Sequence, residues 1–192
     1  MSVRAIVTAG HPVLRERAPE LSLEELRSPR IQALIDDLIE TRRAAHGAGL
    51  AANQIGEAVR VAVIEVEAGN PRYPYKPPVA LTVIVNPRIE PLDDERFVVN
   101  EGCLSVPGLR GELERYVNIR VRYLDRHGEP HDEVRRGLTA GTFQHETDHL
   151  DGILFLDRVR DPRTLMTWES FERFHRAEFE ARARALVERV GS

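Results

Sequence analysis

The sequence predicts an α+β fold: mostly antiparallel β-sheets around a central His-Glu-Thr-Asp-His helix, with a long C-terminal helix. Three observations predict it. Apolar residues recur at helical spacing between residues 30 and 46, at strand spacing in segments between 59 and 124, and at helical spacing again after Gly137. Strands grouped in a block, with helices before and after, disfavour a parallel sheet built from alternating units.

Each element has its own signature. Ser22 and Glu25 form an S-x-x-E capping box that opens a short helical turn. Ile31, Leu34, Ile35, Leu38 and Ile39 then fall on one face of an amphipathic helix, which Gly47 and Gly49 stop. Val59–Val66 is rich in β-branched residues and reads as a strand, as does Leu81–Asn86, ended by Pro87. Between them GNPRYPYKPP, from Gly69 to Pro78, reads as an extended surface loop, because proline cannot donate to a strand ladder. Tyr116–Leu124 alternates as a strand, Asp125–Gly128 turns, and His131–Arg135 returns as its hairpin partner. Leu138–Leu150 is helical again. Asp161-Pro162 is expected to open the last helix, which runs to about Arg189 with Leu165, Trp168, Phe171, Phe174 and Phe179 on its apolar face.

Composition sets limits. The 192 residues suffice for one domain spanning 1–192, with 160–192 as a helical extension. Apolar residues at 42% and charged residues at 30% fit a globular protein, and a net charge of -4 gives no basic surface for nucleic acid. Cys103 is the single cysteine, so the chain forms no internal disulfide and suits a reducing compartment. No stretch approaches the roughly 18 apolar residues of a membrane span, and the N-terminal segment lacks the apolar run of a signal peptide. A cytoplasmic location and no membrane partner are expected.

The strongest chemical signal is His145-Glu146-Thr147-Asp148-His149. On a helix, positions i and i+4 share a face, so both imidazoles reach one metal ion and the glutamate lies beside a water bound to it. The bland alternative is a hydrogen-bonded histidine pair. A catalytic site also needs a third protein ligand. The extended pattern H-E-x-x-H-x-x-G-x-x-H is met at Gly152 and fails at Phe155. Glu169 on the following helix is a second candidate, as in a zinc endopeptidase. Cys103, in Glu101-Gly102-Cys103-Leu104-Ser105, is a third: a thiolate binds zinc or iron strongly, although a lone cysteine is often a small buried hydrophobe. In Gly47-Ala48-Gly49-Leu50-Ala51-Ala52-Asn53-Gln54 the small residues would let a substrate backbone approach, and the Gln54 amide could donate to a developing oxyanion. A plain helix stop followed by a tight turn explains the same residues.

Together, the segments Gly47–Gln54, Glu101–Ser105 and Gln144-His145-Glu146-Thr147-Asp148-His149-Leu150 resemble the three signature motifs of the peptide deformylase family, in the family's order and separations. The resemblance runs from HPVLRERA near the N-terminus to about Val159. It implies a metal-dependent hydrolase that removes the formyl group from the N-terminal formyl-methionine of newly made polypeptides. It implies metal ligation by Cys103, His145 and His149, with Fe2+ in the cell and Zn2+, Ni2+ or Co2+ as alternatives. Glu146 would be the proton carrier, with the Gln54 amide and the Leu104 N–H as oxyanion donors. Substrate would lie against Ala48, Gly49, Leu50, Gly102, Arg110 and Gly141. Relatives carry larger residues at the positions of Ala48 and Gly141, which implies a wider methionine pocket here. The loop from Pro71 to Pro78 and the C-terminal helix set the chain apart from the shortest bacterial members. In some relatives that helix contacts the ribosome; here Arg173, Arg176, Arg182, Arg184 and Arg189 are interleaved with glutamates, which favours an ordinary solvated face. A zinc endopeptidase using Glu169, and a non-catalytic metal-binding scaffold, are the competing readings. The presence of Glu146 speaks against the scaffold, since a closed structural site needs no such carboxylate.

Overall fold

A computed structural model describes residues 2–70 and 72–191. Pro71, within the proline-rich segment, lies outside the described residues.

The capping box is in place. The Ser22 hydroxyl accepts from the Glu25 N–H at 3.2 Å, the Glu25 carboxylate accepts from the Ser22 N–H at 2.7 Å, and α1 (Leu23–Arg27) follows. Ser28 then caps α2 (Pro29–Ala44), with Pro29 in its first turn, where a missing N–H costs nothing. The apolar face of α2 packs onto Val61 and Val63 of β2 (Val61–Val66) and onto Val83 and Val85 of β3 (Val79–Pro91). The opposite face of β2, Ala62 and Ile64, is covered by Ala140 and Phe143 of α3 (Gly137–Leu150). Burial on both faces explains why this strand is a continuous apolar run without polar alternation.

β1 (Gly49–Ala51), β2, β3, β6 (Asn118–Leu124) and β7 (Pro130–Arg136) form one antiparallel sheet in the order β1-β2-β3-β6-β7. A second sheet pairs β4 (Arg96–Cys103), β5 (Val106–Tyr116) and β8 (Met166–Thr167) in that order. Helix α3 lies between the sheets, touching β1, β2, β3 and β5 as well as the C-terminal helix α6 (Arg176–Val190). The α+β class holds, and α3 is its central helix.

Four details differ from the sequence reading. Pro87 does not end its strand. Asn86 takes a positive φ of 51°, the register against β6 shifts between Val85 and Arg88, and β3 runs on to Pro91. A bulge needs no N–H from the proline, so the ladder continues past it. The proline-rich segment is not a detached loop. It folds into successive turns (Tyr73 N to Asn70 O, 3.1 Å; Lys76 N to Tyr73 O, 3.0 Å), and Tyr75 is buried against Phe179 of α6 at a ring separation of 4.9 Å. Cys103 ends β4 of a long β4–β5 hairpin, a strand pair absent from the sequence reading because glycines and charges interrupt its apolar pattern. Asp161-Pro162 opens only a short 3-10 turn, Pro162–Thr164. Met166 and Thr167 extend to pair with β5. Thr167 then caps a new helix beginning with α5 (Trp168–Ser170), which passes through a π-turn (Phe171–His175) into α6. The small α4 (Phe155–Arg158) follows α3 and buries Phe155. No described helix is long and apolar enough to cross a membrane.

Candidate metal centre

Helix α3 is buried along almost its whole length, an expensive place for polar side chains unless each has a partner. His145 and His149 stand on one face with ring centroids 4.9 Å apart. β4 ends against that face and delivers the Cys103 sulfur 3.2 Å from His149 Nε2. The Cys103 Sγ and one nitrogen from each histidine all lie within 4.8 Å of one another. A soft thiolate and two imidazoles that close together fit a single transition-metal ion, and three protein ligands leave a coordination position for water or substrate. The structure thus brings together the third candidate ligand. Glu169 is exposed and is not part of the cluster, which removes the endopeptidase arrangement.

The surroundings orient these ligands. His145 Nδ1 meets Glu101 Oε2 at 2.8 Å, which turns Nε2 toward the cluster. Glu101 is gripped by both arms of Arg115, at 2.9 Å each; Arg115 also binds Asp148 at 2.5 Å, and Asp148 binds Arg158 at 2.6 Å. Burial alone would raise the Glu101 carboxyl, but Arg115 and His145 hold it well below the usual carboxylate range. Burial pushes His145 down, yet Glu101 and Cys103 raise it well above an ordinary histidine. His149 is pushed well below by burial and by the neighbouring His145 and Arg115. Its Nδ1 is buried without a partner among the described residues.

Glu146 is buried beside the ligands, and burial pushes its carboxyl up to about 7, against the pull of His145 and Lys76. Among the described residues its Oε2 has no partner, and its carboxyl packs against Gly49, where an added Cβ would collide with Cδ. Only glycine lets the β1 backbone pass there. Gln54 accepts the Ala51 N–H through Oε1 at 2.9 Å, which directs its Nε2 toward Ser105 Oγ (3.1 Å) and Cys103 Sγ (3.5 Å).

A cleft opens over this cluster. Ala48, Gly49, Gln54, Gly102, Cys103, Leu104, Arg110, Gly141, His145 and Glu146 line it, so most of the residues singled out in the sequence meet there. Leu50 does not: alternation along β1 turns its side chain into the core beneath α2. Gly141 leaves no void either, because Phe97 Cζ lies 3.2 Å from where a Cβ would stand. Gly47 and Glu101 line it too, as do Tyr73, Tyr75, Lys76, Phe97, Val99, Asn100, Leu138, Thr142 and Phe179, which sequence reasoning did not mark as site residues. Glu101 lies in the Glu101–Ser105 segment, two residues before Cys103, a spacing that shares a strand face; that signal could have marked it. The loop and C-terminal residues carried no such signal.

Comparison with known proteins agrees with this geometry. The family model for polypeptide deformylase matches residues 3–164. A peptide deformylase of Leptospira biflexa is 43% identical over 163 residues, covering 85% of this chain and 91% of the relative. The crystal structure of a class I type b peptide deformylase from Acinetobacter baumannii, with Met-Ala-Ser bound, superposes with a TM-score of 0.79 at 38% identity, covering 82% of this chain and 99% of that one. A peptide deformylase from Synechococcus elongatus in complex with actinonin gives a TM-score of 0.71 at 30% identity over 97% of this chain and 85% of its own.

Proposed function

The chain belongs to the polypeptide deformylase family, and from that premise we propose which of its residues bind the metal and carry the reaction. The enzyme removes the formyl group from the N-terminal formyl-methionine of newly synthesised polypeptides and releases formate. The observation that carries the assignment is the meeting of Cys103 Sγ and His149 Nε2 at 3.2 Å, with His145 beside them and the Glu146 carboxylate buried alongside.

In this reading Cys103, His145 and His149 hold one divalent ion, and the donor set suits Fe2+ as the cellular metal, with Zn2+, Ni2+ and Co2+ as substitutes. Such an ion supplies Lewis-acid polarisation and brings the pKa of a water molecule down toward about 7. Glu146 takes the proton from the attacking water. Its burial suits that role, since a carboxyl lifted toward neutrality both accepts and returns a proton near pH 7. The Gln54 amide and the Leu104 N–H donate to the formyl oxygen as negative charge gathers there. Glu146 then delivers the proton to the departing amine as the C–N bond breaks. Ala48, Gly49, Gly102, Arg110 and Gly141 line the channel for the peptide, and Leu50 acts only through the β1 backbone beside Gly49. Met-Ala-Ser in the Acinetobacter relative is the kind of peptide this cleft would release.

One domain over 1–192 belongs to the same reading, supported by the packing of α6 into the core beside β4, and so does a cytoplasmic setting, which the bacterial relatives fit. The mixed charges of the C-terminal helix favour an ordinary solvated face over ribosome contact. Arg176, Arg182, Arg184 and Arg189 are each paired with a glutamate, which leaves little net field on that face.

The test is formate release from formyl-Met-Ala-Ser by protein loaded with Fe2+ or Ni2+ under anaerobic conditions. Glu146→Ala should keep its metal and lose at least about a hundredfold in kcat. Cys103→Ala should lose the metal, while Glu169→Gln should change neither. A folded, metal-loaded wild type that releases no formate would overturn the assignment.

A further inference from the structure

Helix α3 has a second polar face. Gln144, Thr147 and Asp148, with Asp151 just past the helix end, recur at helical spacing, apart from the face of His145 and His149. They line a recess of about 380 Å³, completed by residues of β3, β4 and β5. That volume falls within the roughly 300–1,000 Å³ of small-molecule sites. No residue lines both this recess and the metal cleft. Its wall holds six arginines: Arg17, Arg60, Arg88, Arg96, Arg115 and Arg158. Pro87, Ile89 and Pro91 of β3 give it one apolar side.

The wall also holds three carboxylates, and each is taken. Asp148 binds Arg115 at 2.5 Å and Arg158 at 2.6 Å. Asp151 accepts from Arg60 at 2.7 Å, with Arg17 at 3.6 Å, and Glu114 pairs with Arg160, which is not part of the wall, at 3.2 Å. Two more carboxylates serve these arginines from outside: Glu101 holds Arg115, and Glu20 holds Arg88 at 3.1 Å. With all of these partners included, seven guanidiniums meet five carboxylates, so the recess keeps a positive excess.

Arg96 carries that excess most plainly. It forms no ion pair within 4 Å among the described residues. Its guanidinium lies 4.2 Å from the centre of the Tyr116 ring and donates to Tyr116 Oη at 2.6 Å, which leaves N–H groups to give. Arg17, whose side chain is 78% exposed, has only the 3.6 Å contact with Asp151. Thr147 is an independent sign. A helical threonine can return its hydroxyl to the carbonyl four residues earlier. Here the residue is 7% exposed and its buried hydroxyl has no partner among the described residues. A hydroxyl and guanidinium N–H groups gathered in one recess are the donors that an oxyanion needs.

We propose that this recess is a binding site for a phosphate-bearing small anion, separate from the metal cleft, with Arg96 and Arg17 supplying N–H donors and Thr147 a hydroxyl. Guanidinium forks match the geometry of phosphate oxygens and bind them in pairs. The recess has room for more than an inorganic ion, and its apolar side suits the organic body of a phosphate monoester. A polyanion is the poorer fit, because the positive excess is confined to one recess in a chain of net charge -4.

The experiment is calorimetry of the metal-loaded protein with inorganic phosphate, ribose 5-phosphate and ribose, with and without saturating Met-Ala-Ser to fill the metal cleft. A phosphate-bearing probe is expected to bind at least about tenfold more tightly than ribose, whether or not the cleft is filled. Tighter binding of ribose 5-phosphate identifies a monoester as the ligand, and tighter binding of inorganic phosphate the ion alone. Arg96→Gln should weaken that binding about tenfold and leave formate release from formyl-Met-Ala-Ser as in wild type. Thr147→Val should weaken it by a smaller factor. Arg115 and Arg158 are left in place, because they hold Glu101 and Asp148 behind His145. Absence of phosphate-dependent binding overturns the proposal. So does binding that neither substitution weakens, or binding that Met-Ala-Ser suppresses, which belongs to the metal cleft. A short RNA oligonucleotide that binds more tightly than either phosphate probe would make the recess part of a polyanion surface and overturn it as well.

Discussion

At Gly49 a single hydrogen atom decides whether the site can exist. The Glu146 carboxyl occupies the space where any side chain would begin. Gly49→Ala should therefore keep its metal, because no ligand moves with that residue, yet lose about a hundredfold in kcat through displacement of the carboxylate. Metal content by emission spectroscopy, beside the formate assay, reads both halves. Loss of metal together with activity would mean that the strand, and not Glu146, had been disturbed. Gln54 is held in one orientation by its own neighbours. Its oxygen is spent on the Ala51 N–H, so the amide cannot flip, and its nitrogen must face Ser105 and the Cys103 sulfur.

Secondary-structure elements supply the support that these residues need. The turn at Gly47 is pinned by Arg42 of α2, fully buried, which donates to Gly47 O at 2.8 Å and to Glu65 O at 3.0 Å and pairs with the Glu65 carboxylate. Arg43 joins the same carboxylate at 3.0 Å. Hydrogen bonding from Arg43, reinforced by Arg42 against a smaller effect of burial, holds the Glu65 carboxyl below its usual 4.5. A carboxylate lowered by folding adds stability that is complete above its ordinary value and disappears as pH falls below it. The melting midpoint should accordingly drop as pH is lowered from 4.5, and Glu65→Gln should be less stable at pH 7 but show a shallower acid slope. Parallel slopes for the two proteins would remove Glu65 from that role. Further along, Thr167 caps the new C-terminal helix by accepting the Ser170 N–H at 3.2 Å. Thr167→Ala should cost about 1 kcal/mol in urea denaturation. A helix that really began at Asp161 would show no loss.

Across the whole molecule, the C-terminal segment is part of the core that walls the cleft. Phe171 and Phe179 pack with Val99, Cys103 and Leu138, and Phe179 meets Tyr75 edge-on. Phe179→Ala should destabilise the protein by about 3–5 kcal/mol and loosen the segment that carries Lys76. Thermal unfolding measures the first effect, and reagent labelling of the sole lysine measures the second; unchanged labelling would separate α6 from the cleft. Much of this architecture could be read beforehand. The buried face of α2, the strands β2, β6 and β7, and the His145–His149 pair follow from spacing, because a period of 3.6 or 2 is a local property of the chain. The motif trio likewise brought Cys103 forward, with Gln54 and Glu146. Folding in three dimensions decided what local pattern cannot encode: that β4 runs into the site, that Arg115 and Glu101 brace His145, that Pro87 sits in a bulge, and that Tyr73, Tyr75 and Lys76 turn inward. Those facts depend on residues far apart in the chain meeting across the two sheets, and no periodicity within one segment reports which distant partner will satisfy a buried charge or fill the space beside a glycine.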